Sequence, residues 1–141
     1  MPLAHFTLAT IDIHATAAFL ERTLGYARKP LPANSAGDAV WFDIGHGQEM
    51  HVLRVPGFAI SEFEAEYGRH VALFHPLSDF PALKARLIGE GAVLIDPIRP
   101  TPFERFFFRE PVNGYVFEVI DQERASRASQ RNGANGEAAS E

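Results

Sequence analysis

An internal repeat constrains the fold of this chain more than any other feature of its sequence. One succession of patterns, which predicts a strand, a helix and then three strands, occurs twice among the 141 residues. The second copy follows the first by about 65 residues, so that His5 corresponds to His70 and His51 to Glu118. A repeat of this length indicates a supersecondary unit that is used twice.

Hydrophobic periodicity and turn residues give the boundaries of the predicted elements. Helices are predicted from Asp12 or Thr16 to Leu24 and from Asp79 to Ile88, each followed by a glycine. Strands are predicted at 3–9, 26–31, 38–44 and 48–55 in the first copy, and at 69–75, 92–96, 103–109 and 115–120 in the second.

These elements predict an α+β fold made of two βαβββ modules. The first module is expected at residues 1–55 and the second at 69–120, with a connector at 56–68. Residues 121–141 are poor in aromatic and β-branched residues, which predicts a disordered tail.

The composition excludes several kinds of partner and of chemistry. An apolar fraction of 46% and a charged fraction of 22% are typical of a globular protein. The net charge of −5 argues against nucleic acid or an anionic membrane as the partner. No apolar run predicts a membrane span, and the N-terminus lacks the pattern of a signal peptide, so we expect a cytoplasmic protein. Because the chain contains no cysteine, disulfides, thiolate ligands and cysteine nucleophiles are excluded.

Four of the predicted strands carry a histidine or a glutamate on the face opposite their apolar residues. Alternate residues of a strand point to opposite faces of the sheet, which defines these pairs of faces. His5 is opposite Phe6 and Leu8, His51 opposite Met50 and Val52, His70 opposite Val71 and Leu73, and Glu118 opposite Phe117 and Val119.

Glu118 is the most informative of these residues because it interrupts the apolar strand Tyr-Val-Phe-Glu-Val-Ile. An unpaired buried carboxylate costs several kcal/mol, so Glu118 needs a cation or strong hydrogen-bond donors. One of three arginines, Arg54, Arg105 or Arg109, could supply them. A metal bound by the histidines could do so too, since imidazoles with one carboxylate suit Zn(II), Ni(II), Fe(II) or Mn(II). Both interpretations remain open at this point.

The remaining candidates have simpler interpretations. His14 lies near a helix start, His46 in a Gly-His-Gly turn and His75 on the other strand face, so none of them is expected in the site. The acidic run 62–66 is expected to be a solvated face of the connector. The aromatic run 106–108 is expected to divide between the core and a pocket wall.

With these strands and residues, the chain resembles the vicinal oxygen chelate superfamily. This superfamily includes glyoxalase I, methylmalonyl-CoA epimerase, fosfomycin-resistance enzymes, extradiol dioxygenases and bleomycin-binding proteins. Its closing motif, Asp-Pro-x-Gly-Asn-x-x-Glu, is similar to residues 110–118, Glu-Pro-Val-Asn-Gly-Tyr-Val-Phe-Glu, which are one residue longer. The resemblance implies two modules whose mixed sheets curl into a half-open, glyoxalase-like barrel, and a divalent metal that polarises two neighbouring substrate oxygens.

The resemblance also implies which residues form the site. His5, His70 and Glu118 take the common ligand positions, whereas His51 stands where glyoxalase I has a glutamate, which argues against lactoylglutathione lyase activity. Glu49, on the same strand face, is the alternative fourth ligand. The substrate pocket is expected to be lined by aromatic residues, namely Trp41, Phe74, Phe106, Phe108 and Tyr115.

Three functions are compatible with this set of residues. The first is a metal-dependent lyase or isomerase that stabilises an enolate, with Glu118 or Glu49 as the base. The second is an Fe(II) extradiol-type dioxygenase that uses His5, His70 and Glu118. The third is a resistance protein that binds a small ligand without reaction. In each case the partner is a small molecule. We also expect a homodimer, with the metal site either within one chain or shared between two.

Overall fold

The repeat predicted from the sequence is present in the fold. A computed structural model describes residues 3–35, 37–61 and 64–124. The first copy comprises β1 (His5–Thr10), α1 (Ile13–Leu24), β2 (Ala27–Lys29), β3 (Ala39–Gly45) and β4 (Gln48–Arg54). The second comprises β5 (Val71–His75), α2 (Phe80–Gly89), β6 (Val93–Ile95), β7 (Arg105–Arg109) and β8 (Val116–Asp121), with a 3-10 turn at Leu77–Asp79 before α2. Every predicted strand and helix is confirmed, with ends that differ by a few residues.

Each copy builds its own four-stranded mixed sheet with the same strand order. The order is β1-β4-β3-β2 in one sheet and β5-β8-β7-β6 in the other. β1 is parallel to β4 and β5 is parallel to β8, while the remaining neighbours are antiparallel. The predicted fold class, α+β with two βαβββ modules, is therefore confirmed.

The chain divides into two compact units that do not follow the chain order throughout. The first unit contains Met1–Glu62 together with Pro111–Gly114, and the second contains Phe63–Glu110 and Tyr115–Glu141. The turn between β7 and β8 therefore belongs to the first unit, although both strands belong to the second. Of the predicted tail, Asp121 ends β8, and residues 125–141 lie outside the described residues.

The turn residue Asn113 explains why this segment groups with the first unit. Its side-chain oxygen accepts hydrogen bonds from the Thr10 hydroxyl and the Ile11 backbone N–H, both at 3.0 Å. Its side-chain nitrogen donates to the Thr16 hydroxyl at 3.1 Å. Thr10 and Thr16 are buried, so these bonds satisfy polar groups that would otherwise be costly to bury.

Both helices begin and end where their sequences predict. Asp12 accepts a hydrogen bond from the Ala15 N–H at 3.0 Å and caps α1, and Gly25 ends this helix in the left-handed conformation with φ of 72°. Pro81 lies in the first turn of α2, where a missing N–H costs nothing. Neither helix, nor any other in the described part of the chain, is long and apolar enough to span a membrane.

Burial confirms the strand faces predicted from alternation in the first sheet, whereas in the second sheet residues on both faces of β7 and β8 are buried. In the first sheet Leu8, Met50 and Val52 are buried on the face that carries α1, and Ile13, Ala17 and Leu20 of the helix are buried as well. In the second sheet Phe117 and Val119 are buried, as are Phe80, Leu83 and Leu87 of α2. In each sheet the candidate residues, His5 and His51 or His70 and Glu118, therefore lie on the face opposite these core residues.

Candidate functional site

Three aromatic rings stack on the open face of the first sheet. The His51 ring lies between two others, with its centroid 3.9 Å from that of Trp41 and 4.2 Å from that of His5. The planes are nearly parallel, at angles of 3° and 12°. The register places Trp41 directly opposite His51 on the neighbouring strand, so the stack follows from strand pairing. The rings of His5 and His51, which the sequence assigns to one site, are thus in contact.

Glu49 lies beside this stack and is already engaged by two partners. Its Oε2 is 2.8 Å from His51 Nε2, and its Oε1 accepts a hydrogen bond from Lys29. The hydrogen bonds from His51 and Lys29 hold the pKa of Glu49 below its ordinary value. Glu49 is therefore ionised at neutral pH and is fixed against His51.

In the second unit, His70 and Glu118 meet on the sheet face opposite Phe117 and Val119. His70 Nε2 is 3.2 Å from Glu118 Oε2, and the His70 ring stands edge-on to Phe107 with centroids 5.2 Å apart. The Glu118 side chain is only 9% exposed. His70 Nδ1 is also buried and has no hydrogen-bond partner. The predicted pairing of these two residues is therefore present within one unit.

Arg105 supplies the hydrogen bonds that the buried carboxylate of Glu118 requires. Its Nη1 donates to Glu118 Oε1 at 2.8 Å, and its Nη2 donates to Glu66 Oε1. Of the three arginines that the sequence left open, Arg105 is thus the partner of Glu118. Burial opposes the charge of Arg105, but Glu118 and Glu66 outweigh this effect and raise its pKa. One guanidinium therefore serves two buried carboxylates.

In the acidic run 62–66, the two glutamates that the structure describes are not solvated as the sequence predicts, and Glu62 lies outside the described residues. Glu64 and Glu66 are buried, with 7% and 8% of their surface exposed. Burial alone would raise the pKa of Glu66, but the Ile98 N–H, Arg105 and the Arg99 N–H together lower it. The prediction for Glu66 was wrong because its partners lie more than 30 residues away in the sequence, where no local pattern indicates them.

The two sheets place their candidate residues at equivalent positions. Thr7 pairs with His51 between β1 and β4, and Ala72 pairs with Glu118 between β5 and β8. Each of these partners stands two residues after a histidine, His5 in the first case and His70 in the second. Counted this way, His51 rather than Glu49 occupies the position that corresponds to Glu118.

The third strand of each sheet contributes an aromatic residue to this arrangement. Trp41 is opposite His51, and Phe107 is opposite Glu118. Within the aromatic run, only Phe107 shares the face of Glu118. Phe106 and Phe108 are buried on the core face, where Phe106 contacts Phe80 and Lys84, and Phe108 stacks on Phe117.

The other residues predicted for a pocket lie in different surroundings. Phe74 shares a strand face with Ala72 but is 64% exposed. Tyr115 precedes β8, and its ring centroid is 6.4 Å from that of Phe117, a residue of the core face. Of the predicted pocket set, the structure thus brings only Trp41 into contact with a predicted metal ligand. Phe107, which was not singled out, takes the corresponding place in the second unit.

Three histidines were set aside on the basis of sequence, and their surroundings agree. His14 is exposed on α1, and His46 is exposed in its turn with φ of 53°. His75 Nε2 is 2.7 Å from Asp79 Oδ2. Asp79, which the sequence assigns to the start of α2, makes no capping bond there and binds His75 and Arg86 instead.

The described residues therefore contain two pairs of candidate ligands, the stacked rings of His5 and His51, and His70 with Glu118. Within the described part of the chain, no group of three or more His, Asp or Glu side chains stands close enough to hold a metal ion. The convergence of all four residues on one ion stays a prediction.

Comparison with known proteins identifies the fold. No protein-family model matches the sequence, and no curated protein is significantly similar to it. Among solved structures, the fosfomycin resistance protein FosX from Mesorhizobium loti is similar, with a TM-score of 0.65 and 20% identity over 90% of this chain and 97% of that one. A mutant FosX from Listeria monocytogenes, complexed with Mn(II) and 1S,2S-dihydroxypropylphosphonic acid, gives a TM-score of 0.64 and 23% identity over 84% and 88%.

A third similar structure broadens the range of activities represented. A glyoxalase/dioxygenase from Nostoc punctiforme gives a TM-score of 0.71 and 16% identity over 85% of this chain and 90% of that one. The chain therefore has the fold of the vicinal oxygen chelate superfamily, as its sequence predicted. The similar structures differ in reaction, so the fold does not define one.

Proposed function

We propose that this chain is a metal-dependent enzyme of the glyoxalase-like type that acts on a small, oxygen-rich substrate. The proposed ligands of one divalent cation are His5, His51, His70 and Glu118. Imidazole and carboxylate donors suit Mn(II), Fe(II), Ni(II) and Zn(II). The structure of a similar protein with Mn(II) bound supports a divalent metal.

The observation that carries this proposal is the distance between His70 Nε2 and Glu118 Oε2. Two donors that each lie about 2.1 Å from one ion, at angles of 90° to 109°, are separated by roughly 3.0 to 3.4 Å. The observed separation is 3.2 Å, which is long for a hydrogen bond to a carboxylate but fits two ligands of one ion. The second nitrogen of His70 has no hydrogen bond, although a histidine with a purely structural role would normally use both.

The charges around Glu118 also favour a cation. Glu66 and Glu118 share the single guanidinium of Arg105, so these three side chains together have a formal charge of −1. A buried excess charge is costly unless a counter-ion compensates it. A divalent cation bound to Glu118 would provide this compensation.

The first unit offers a second feature typical of metal-binding histidines. A ligating histidine usually donates its other ring N–H to a carboxylate, which fixes the orientation of the ring. Glu49 stands in this relation to His51 Nε2, which leaves Nδ1 of the same ring as the donor to a metal. This supports His51 as the fourth ligand and Glu49 as the residue that orients it.

When bound, the cation would supply Lewis-acid polarisation of two neighbouring substrate oxygens. The chain's own residues would orient the substrate and move its proton. Trp41 offers apolar surface beside His51, whereas Phe107 is fully buried and packs against His70. Either Glu118 or Glu49 would be the base in a lyase or isomerase reaction.

The experiment that tests this proposal is metal analysis followed by a substrate panel. The purified chain is expected to bind about one Mn(II), Ni(II), Zn(II) or Fe(II) per chain, and His70→Ala is expected to lose most of this binding. The panel would contain 2-oxoaldehyde thiol adducts for a lyase, catechols for a dioxygenase, and the dihydroxyphosphonate bound by the similar FosX. His14→Ala is the matched control, because His14 is exposed on α1 and is not one of the proposed ligands. Binding of a panel compound without turnover would favour the non-catalytic alternative, and absence of metal binding would contradict the proposal.

A homodimer is part of the proposal, and a mixing experiment tests whether the ligands come from one chain or two. His5→Ala inactivates the first pair of candidate ligands and Glu118→Gln the second. If each site combined the first unit of one chain with the second unit of another, refolding the two variants together would restore metal sites in mixed dimers. If each site belonged to one chain, the mixture would bind no better than the variants alone.

A further inference from the structure

We infer that Arg105, held in place by Glu66, is a positioning residue that engages one oxygen of Glu118 and leaves the other to bind the cation. This inference rests on the proposed function, because it concerns the same carboxylate. It goes beyond that function in assigning a role to two buried residues, one of which the sequence placed in solvent.

The contacts of Glu118 divide between its two oxygens. Oε1 accepts the hydrogen bond from Arg105 Nη1 at 2.8 Å, whereas Oε2 faces His70 Nε2 at 3.2 Å. The guanidinium carbon of Arg105 also lies 5.2 Å from the centroid of the Phe107 ring, which supports the group from the same sheet face. A cation bound to Glu118 would therefore be coordinated by Oε2 alone.

Arg105 is itself held from the side opposite Glu118. Its Nη2 donates to Glu66 Oε1 and, at 2.6 Å, to the carbonyl oxygen of Arg99. The side chains of Arg105 and Glu66 are 3% and 5% exposed, so water does not compete for these bonds. A guanidinium bound at both ends has a fixed direction, which a single ion pair with Glu118 would not give it.

Glu66 is fixed by the backbone rather than by flexible side chains. It accepts hydrogen bonds from the N–H groups of Ile98 and Arg99, the latter at 3.2 Å. The loop that precedes β7 therefore holds Glu66, Glu66 holds Arg105, and Arg105 orients Glu118. Partners of this kind, one step removed from a metal, are typically worth a factor of 10 to 100 in metal affinity.

The test is Mn(II) titration of the full-length chain by calorimetry, with three variants and one control. Arg105→Gln is expected to weaken Mn(II) binding by about 10- to 100-fold, and Glu66→Gln by less. Arg105→Lys keeps one donor and is expected to recover part of the loss. The matched control is Arg109→Gln, on the same strand and face, whose Nη2 donates to the Glu64 carbonyl. Its Mn(II) affinity is expected to equal that of the wild type.

A spectroscopic readout separates positioning from a general loss of structure. The infrared carboxylate stretches of the Mn(II)-loaded chain, labelled at glutamate, differ between one-oxygen and two-oxygen coordination. Wild type is expected to show the one-oxygen pattern, and Arg105→Gln or Glu66→Gln a shift toward two-oxygen binding. If Arg105→Gln does not fold, Arg105→Lys and Glu66→Gln carry the test.

The outcomes separate this inference from the proposed function. If the wild type binds none of Mn(II), Ni(II), Zn(II) and Fe(II), the proposed function fails, and this inference fails with it. If the wild type binds Mn(II) and the Arg105 and Glu66 variants bind it equally well, with unchanged infrared bands, the positioning role is overturned and the proposed function stands.

Discussion

Replacing Glu118 by glutamine distinguishes a metal ligand from a structural ion pair, because the side chain keeps its size and loses its charge. In the metal-free protein, Arg105 keeps Glu66 and the Arg99 carbonyl as partners, so it is not left unpaired. The amide oxygen of the new glutamine can still accept the bond from Arg105. One charge-assisted hydrogen bond, worth about 1.5 to 3 kcal/mol, is weakened, and the removal of one of two carboxylates around a single guanidinium offsets part of this loss. We therefore expect the unfolding free energy without metal to change by less than about 1.5 kcal/mol.

The metal-loaded protein is expected to behave differently. A cation present at 100 times its Kd stabilises the wild type by about 2.7 kcal/mol. A neutral amide is a poorer ligand, and a loss of affinity of about tenfold or more removes at least about 1.4 kcal/mol of this stabilisation. For a chain of this size, about 1 kcal/mol corresponds to a shift of roughly 2–4 °C in Tm.

Thermal melts of wild type and Glu118→Gln, with metal and with chelator, measure both quantities. The metal-dependent rise in Tm is expected in the wild type and is expected to be about half as large, or smaller, in the mutant. Equal destabilisation of the mutant under both conditions, with unchanged metal content, would mean that Glu118 serves only as the partner of Arg105.

Three further substitutions test how the fold is held. Asn113→Ala removes three hydrogen bonds that bind the turn into the first unit, and we expect it to lower the unfolding free energy by about 1–3 kcal/mol in urea denaturation. Gly25→Ala adds a methyl group that meets no other atom, but it forces alanine to adopt φ of 72°. We therefore expect the unfolding free energy in the same assay to fall by about 1 kcal/mol because of backbone strain alone. An unchanged unfolding free energy would contradict the left-handed end of α1. The hydrogen bonds from Arg86 and His75 lower the pKa of Asp79 to about 2, so its contribution to stability is present above pH 4 and is lost as pH falls from about 4 to 2. Asp79→Asn is expected to flatten this part of the stability curve, and an unchanged curve would contradict the assignment.

The pairs of donor residues could be predicted because strand alternation and the repeat depend on local sequence. Strand alternation predicts that His51 lies on the face opposite Met50 and Val52, and the repeat aligns His51 with Glu118. Neither prediction requires the strand register. The observed register agrees, since Thr7 pairs with His51 as Ala72 pairs with Glu118. Fold class and helix ends followed for the same reason, as each depends on a few neighbouring residues.

The residues that surround the donors could not be predicted, because long-range pairing decides them. A run of three phenylalanines has no alternation, so only the pairing of β7 with β8 shows that Phe107 shares the face of Glu118. The same pairing places both Arg105 and Arg109 on the face of Glu118, and only the hydrogen bond from Arg105 Nη1 identifies Arg105 as a partner of Glu118. Glu66 lies outside any regular element, and its partners at Ile98 and Arg99 are reached only in the folded chain.

The nitrogen couplings of bound Mn(II), measured by pulsed electron paramagnetic resonance, test the proposed metal site most directly. A site formed by His5, His51, His70 and Glu118 predicts couplings to the nitrogens of three imidazoles. Each of the variants His5→Ala, His51→Ala and His70→Ala is expected to lose the coupling of one imidazole, and His14→Ala is expected to keep all three. A spectrum of hydrated Mn(II) without nitrogen coupling, or couplings that no variant changes, would contradict the site.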